Sequence, residues 1–233
     1  MANLKSLVKD TAIYGLSSIV GRFLNYLLVP LYTIKITSVS GGYGVITNLY
    51  AYTALFLVLL TYGMETTFFR FANKSDENPQ RVYSTILLSV GFTSTLFIAM
   101  VVLFLHPIAQ AMGYADHPSY IWVMATTVAI DAFQCIPFAY LRYQKRPIKF
   151  ATLKLLFVGS NISLNLIYYL LLPALYEGGH QWVNLIYSPS VGAGYAFYIN
   201  LVCTASITFC FYKELRGFAY VFDKALLNRM LSY

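Results

Sequence analysis

Arg22 is isolated from every other charge: its nearest charged neighbours in sequence are Asp10 and Lys35, and all residues between are uncharged. A guanidinium carried into hydrocarbon by such a stretch costs at least about 2.5–3.5 kcal/mol on insertion scales. It persists only when a carboxylate, a water-filled cavity or an anionic ligand compensates it. The chemistry open to it is therefore anion binding through charge-assisted hydrogen bonds. Thr11, Tyr14, Ser18, Gly21 and Asn25 recur around it at spacings of three and four, which puts them on one helical face. Ser18, Arg22 and Asn25 are the candidate substrate-binding residues of this stretch. Pro30 interrupts the backbone ladder near its far end, and Gly15 and Gly21 permit bending or close approach. A polar stripe ending in a kink suits a helix that lines a cavity, while its small residues alone would equally serve a helix–helix interface.

A charge of opposite sign, Asp131, lies midway along a later apolar stretch, at a depth within a turn or two of Arg22. Thr127, Gln134 and Arg142 share its helical face, with Pro137 rotating the last of these. Three roles compete for Asp131: a static ion pair with Arg22, a proton-coupling carboxylate, or a ligand for a substrate hydroxyl. Lys154, Asn161, Asn165 and Tyr168 lie along one face of the next stretch. Amides and phenols of this kind hydrogen-bond sugar hydroxyls, and they also join helices to each other. Asp131, Gln134, Asn161 and Asn165 complete the candidate substrate-binding set. Glu65 and Arg70, five positions apart, fall on different faces and are expected to make separate interfacial contacts.

Nucleophile and metal constellations are missing from the sequence. His106, His117 and His180 fall between apolar stretches without an HExxH or CxxC context. Cys135, Cys203 and Cys210 all fall inside apolar stretches and read as small packing residues. No catalytic residue, metal or cofactor is expected. An enzyme such as a polymerase or acyltransferase would have only His106, Asp116, His117, Glu177 and His180 to work with, and no known arrangement joins them.

The elements that must position these groups are set by composition. Apolar residues make up 58% of the chain, charged residues only 11%, and the mean hydropathy is +0.62. A water-soluble chain carries about twice that charge, so the expectation is an all-α integral membrane protein. Six stretches reach the roughly 20 residues needed to cross a bilayer, at 11–34, 43–64, 82–105, 120–141, 150–172 and 191–212. The first is too long for the core of a cleaved signal peptide. Fourteen of the sixteen Lys and Arg residues then fall on one side of the implied membrane, the exceptions being Lys35 and Arg22. That asymmetry places the N-terminus in the cytoplasm and makes a nucleic-acid partner unnecessary to explain the net charge of +7. Arg70, Arg142, Lys145, Arg146 and Lys149 are candidate contacts for anionic lipid heads at that face, although topology alone would account for them. The 21 tyrosines and 17 phenylalanines mostly mark interfaces and packing. Residues 1–212 thus form a six-helix transmembrane lobe. Residues 213–233 turn amphipathic, either as an interfacial helix or as the lead-in to a further span.

The runs YGLSSIVGRFLNYLLVPLYT at 14–33, GMETTFFRFANK at 63–74 and IPFAYLRYQKRPIKFATLK at 136–154 together resemble bacterial polysaccharide-biosynthesis membrane proteins of the oligosaccharide flippase type. The first run resembles their first span. The second is similar to the end of their second span, and the third to their basic loop between the fourth and fifth. The resemblance implies membership of the multidrug and oligosaccharidyl-lipid exporter superfamily, whose members pair two six-span lobes around a central cavity. It implies a MATE-like lobe in a bacterial inner membrane that flips polyprenyl-diphosphate-linked oligosaccharide for surface polysaccharide or lipopolysaccharide by alternating access. Its partners would be the bilayer, the lipid-linked oligosaccharide and a second lobe. Arg22 lies where first-helix arginines of related flippases face the cavity. Asn25 stands near a position that is acidic in some relatives. A cation-coupled drug antiporter of the same superfamily, with Asp131 as coupling carboxylate, is the alternative. The end of the chain, 228–233, resembles the lead-in to a seventh span.

Overall fold

Proline and glycine divide the apolar stretches into helices. The computed structural model describes residues 2–36, 42–74, 77–216 and 220–232; the side chains of residues 2–7, Asp10, Arg22 and Asn25 lie outside that description. Among the described residues the fold is all-helical, with no strand. Helix α1 (Ala2–Tyr26) is followed by α2 (Leu28–Lys35), and α3 (Gly42–Thr61) by α4 (Met64–Ala72). Next come α5 (Pro79–Leu103), α6 (Leu105–Ala111), α7 (Pro118–Tyr143) and α8 (Pro147–Leu166). A π-helical turn (Ile167–Leu171) leads into α9 (Leu172–Glu177), and α10 (Gly194–Cys210), α11 (Tyr212–Arg216) and α12 (Lys224–Leu231) complete the chain.

A proline has no N–H to donate, and its ring clashes with the carbonyl four residues earlier. Pro30 points at Tyr26, where α1 ends, and Pro107 at Leu103, where α5 ends. Pro173 points at Tyr169, and there the helix is accommodated by the wider π turn, with the N–H of Leu172 reaching the carbonyl of Ile167. Prolines at the first helical position start α5, α7 and α8, where the missing N–H costs nothing. Asn78 caps α5 by accepting from the N–H of Gln80 at 2.9 Å. Between α3 and α4 the chain enters left-handed backbone, Gly63 at φ +74°, which glycine adopts without a Cβ penalty.

Four helices among the described residues are long and apolar enough to cross a membrane: Gly42–Ala72, Pro79–Leu103, Pro118–Tyr143 and Pro147–Glu177. They coincide with the second to fifth expected spans. The first and sixth correspond to shorter apolar helices, Thr11–Gly21 and Gly194–Cys210. Gly192, at φ +50°, precedes the start of α10.

The chain divides into two compact units, Met1–Ala51 with Ala151–Cys203, and Tyr52–Phe150 with Thr204–Tyr233. In the first, Gly21 lets α1 approach α8, since a Cβ there would meet Val158 at 3.3 Å. Aromatic side chains fill the rest: Tyr32 meets Tyr169 edge-on at 5.5 Å, and Tyr50 meets Phe197 at 6.1 Å.

The second unit is built around α7. Its alanines Ala129, Ala132 and Ala139 are fully buried and let α5 pack closely along it. The core continues through Met64, Phe68, Val82, Tyr83, Ile86 and Ile136. Leu226 and Met230 of α12 join that same core and are buried completely. The amphipathic tail is thus an integral part of this unit, its apolar face covering the ends of α4 and α5.

Candidate functional site

Polar residues within the apolar helices of the second unit meet between α7 and α10. Gln134 is buried and donates from Nε2 to the carbonyl of Thr204 at 2.7 Å and to Oγ1 of Thr208 at 2.8 Å. The Thr204 hydroxyl donates to Oδ1 of Asp131 at 3.3 Å. Asp131 and Gln134 lie one turn apart on α7, and Thr204 and Thr208 one turn apart on α10, so each pair presents one helix face to the other. Asp131 is half-buried, and a carboxylate so placed can hold a proton or a cation. Thr127, on the same face, donates to its own helix at the carbonyl of Val123.

The asparagines of α8 belong to the first unit. Tyr32 of α2 donates to Oδ1 of Asn165 at 2.8 Å, and Nδ2 of Asn165 donates to the carbonyl of Asn161 at 2.8 Å. Asn165 is completely buried and Asn161 nearly so. Their amides join α2 to α8. Beyond them Tyr169 donates to the carbonyl of Gly192 at 3.0 Å and accepts from the N–H of Ala196 at 3.2 Å. Ser18 donates to the carbonyl of Tyr14 on its own helix. The Arg22 and Asn25 side chains lie outside the described residues.

At the end of the second unit where its basic residues collect, carboxylates hold several of them. Glu65 takes the guanidinium of Arg142 on one oxygen and the thiol of Cys135 at 2.8 Å on the other. The same guanidinium lies over the rings of Phe69 and Phe150, at 5.2 and 5.8 Å. Lys149 donates to both oxygens of the buried Glu214, at 2.7 and 2.6 Å, with Arg146 at 3.7 Å. Arg81 meets Asp223 at 2.7 Å, and Arg229 meets Glu77 at 2.8 Å. Asp223 also caps α12 through the N–H of Leu226, which with the nearby Arg81 holds its carboxyl below the usual range. Of the five residues expected at lipid heads, Arg142, Lys149 and, at longer range, Arg146 therefore have internal carboxylate partners. Arg70, Lys145 and Arg146 are exposed, Lys145 in left-handed backbone at φ +54°.

Sequence reasoning did not single out Thr204, Thr208, Tyr32, Glu214 or the Glu65–Arg142 pair. The threonines carried a usable signal, two hydroxyls one turn apart in an apolar stretch. The ion pairs join residues far apart in the chain and left none.

An open groove of about 700 Å³ adjoins the α7–α10 contact, bounded by α5, α7, α10 and Tyr220. Among the described residues, no cluster of His, Cys, Asp or Glu is fit to hold a metal ion. No protein-family model, curated protein or solved structure matches this chain. Fold and composition define an all-helical protein with helices able to cross a membrane.

Proposed function

We propose that this chain is one lobe of a flippase that moves polyprenyl-diphosphate-linked oligosaccharide across a bacterial inner membrane. A second lobe completes the cavity, and alternating access drives the transfer. The observation that carries this reading is ionic charge retained inside apolar helices, Arg22 in the first and Asp131 in α7. Charge at such depth is costly and is kept for a pathway or a bound ion. The resemblance of residues 14–33, 63–74 and 136–154 to oligosaccharide flippases chooses the substrate.

On this reading Arg22 receives the diphosphate, and Ser18 and Asn25 extend the polar face toward the sugar. The six crossings comprise the four long helices together with α1 and α10. Helix α1 has 25 residues and α10 has 17, with α11 following it after the single residue Phe211. At about 1.5 Å per residue both reach across most or all of a hydrocarbon core. The basic ends face the cytoplasm.

Replacing Arg22 by alanine in the intact transporter should abolish surface polysaccharide while membrane protein level, read by immunoblot, stays unchanged. Export that persists in Arg22→Ala refutes the assignment. The half-buried Asp131 with its threonine donor favours one second reading, a cation-coupled antiporter. That reading requires Asp131→Asn to abolish gradient-driven efflux of cationic drugs, whereas a flippase of the first kind moves none.

A further inference from the structure

The groove between α5, α7 and α10 is placed and shaped for a lipid chain. On α5 it runs from Leu87 to Ile98, about 16 Å at 1.5 Å per residue. That whole length lies inside a helix apolar enough to cross a membrane. Its walls offer little to water. Thr95 donates to the carbonyl of Gly91 at 2.8 Å and Thr208 to that of Thr204 at 3.2 Å, so both hydroxyls are held by their own helices. Gly91 leaves the floor open, because a Cβ there would only touch the Phe133 ring at 3.5 Å. Phe92 and Phe209 line the opening and stand 70% and 81% exposed, unlike the buried rings of the core.

The end of the groove at Tyr220 meets the basic end of the unit. Lys213 follows Phe209 by four residues, Arg216 lies on the same short helix, and Arg81 precedes Leu88 by two turns. Among the described acidic side chains of this rim, Asp223 pairs with Arg81, and Glu214, buried on the same short helix as Lys213 and Arg216, pairs with Lys149 and Arg146. The rim is therefore net positive. A second copy of this chain in the same orientation would bring an identical positive rim to the same depth, which repels. An anionic lipid matches both parts, its hydrocarbon in the groove and its head at the rim.

We propose that this groove is a resident site for one acyl chain of an anionic phospholipid, drawn from the leaflet at the basic end. The site does not depend on the flippase reading.

The test reconstitutes the full chain in phosphatidylethanolamine vesicles containing phosphatidylglycerol with a photoactivatable diazirine in mid-chain, and maps adducts by peptide mass spectrometry. Adducts should concentrate on residues 87–98 and 205–209. A phosphatidylcholine probe with the same chain should label there about fivefold less, the worth of one basic residue at a charged membrane surface. Gly91→Leu fills the floor and should lower labelling about tenfold, the effect of displacing two buried methylenes. Lys213→Gln with Arg216→Gln, both at exposed positions, keeps the proposal testable should Gly91→Leu fail to fold. It should erase the preference for the anionic probe while total groove labelling persists. Ser94, a lining residue whose buried hydroxyl finds no hydrogen-bond partner among the described residues, gives the last arm. A hydrocarbon occupant leaves labelling unchanged in Ser94→Ala, whereas a drop reveals a polar ligand and overturns the proposal. Labelling spread evenly over the exposed faces of α3 and α8, or protein–protein adducts at Phe209, would also overturn it.

Discussion

The Glu214–Lys149 pair sets up a test whose outcome depends on burial. The Glu214 side chain is 2% exposed and takes both its bonds from Lys149, which is 30% exposed, with Arg146 further off at 3.7 Å. Removing the lysine strands a buried carboxylate, whereas removing the carboxylate leaves an ammonium that turns to water. Breaking a buried pair from one side costs about 3–5 kcal/mol. Arg146 compensates part of this, so Lys149→Met should destabilise by about 2–3 kcal/mol. Glu214→Gln should cost about 1–2 kcal/mol, the loss of hydrogen bonds to a charged group. In the double variant no ion is left unpaired, and the summed single effects should exceed the measured one by about 2 kcal/mol. Unfolding in mixed micelles, followed by helical circular dichroism across all four proteins, supplies the cycle. Additivity within about 0.5 kcal/mol would show that the two groups do not sense each other and would refute the reasoning.

The capping carboxylate of α12 gives a pH signature. Because the Leu226 N–H and Arg81 lower the folded pKa of Asp223, its contribution is present above its ordinary value and is lost as pH falls through the lowered one. The stability gap between wild type and Asp223→Asn should accordingly be constant near neutrality and vanish in acid, read as Tm against pH. Gly63→Ala places a Cβ at φ +74° and should cost about 1–2 kcal/mol, measured by the same unfolding assay. Gln134→Met removes two α7–α10 hydrogen bonds and should cost about 1 kcal/mol, the scale of interhelical bonds in membranes. Transport should survive that substitution; its loss at unchanged stability would return Gln134 to the substrate site.

Different features of the chain were legible to different degrees, for physical reasons. Apolar length is a local property, and the helices at Gly42–Ala72, Pro79–Leu103, Pro118–Tyr143 and Pro147–Glu177 follow from it directly. Proline breaks are equally local, so the end of α1 four residues before Pro30 can be read from the chain alone. Helical periodicity assigns a residue to a face but does not say what that face meets. Asn161 and Asn165 shared a stripe with the right chemistry for a sugar, and the structure gives them Tyr32 and each other. Arg142 and Lys149 had the right charge for lipid heads, and the structure gives them Glu65 and Glu214.

The same logic separates the polar groups that glue from those available to act. An amide with every hydrogen bond made inside the protein has little left to offer a substrate, since engaging one would break bonds already formed in a medium without water. Asn165 falls on that side, and Gln134 already spends its Nε2 donors on α10. Asp131 differs in kind, being a half-buried carboxylate inside an apolar helix that takes the Thr204 hydroxyl as one of its donors. An ionisable group kept within an apolar helix is what a coupling ion or a moving proton needs. Among the described candidates Asp131 therefore has the strongest physical claim to function, and it is the residue to change alongside Arg22.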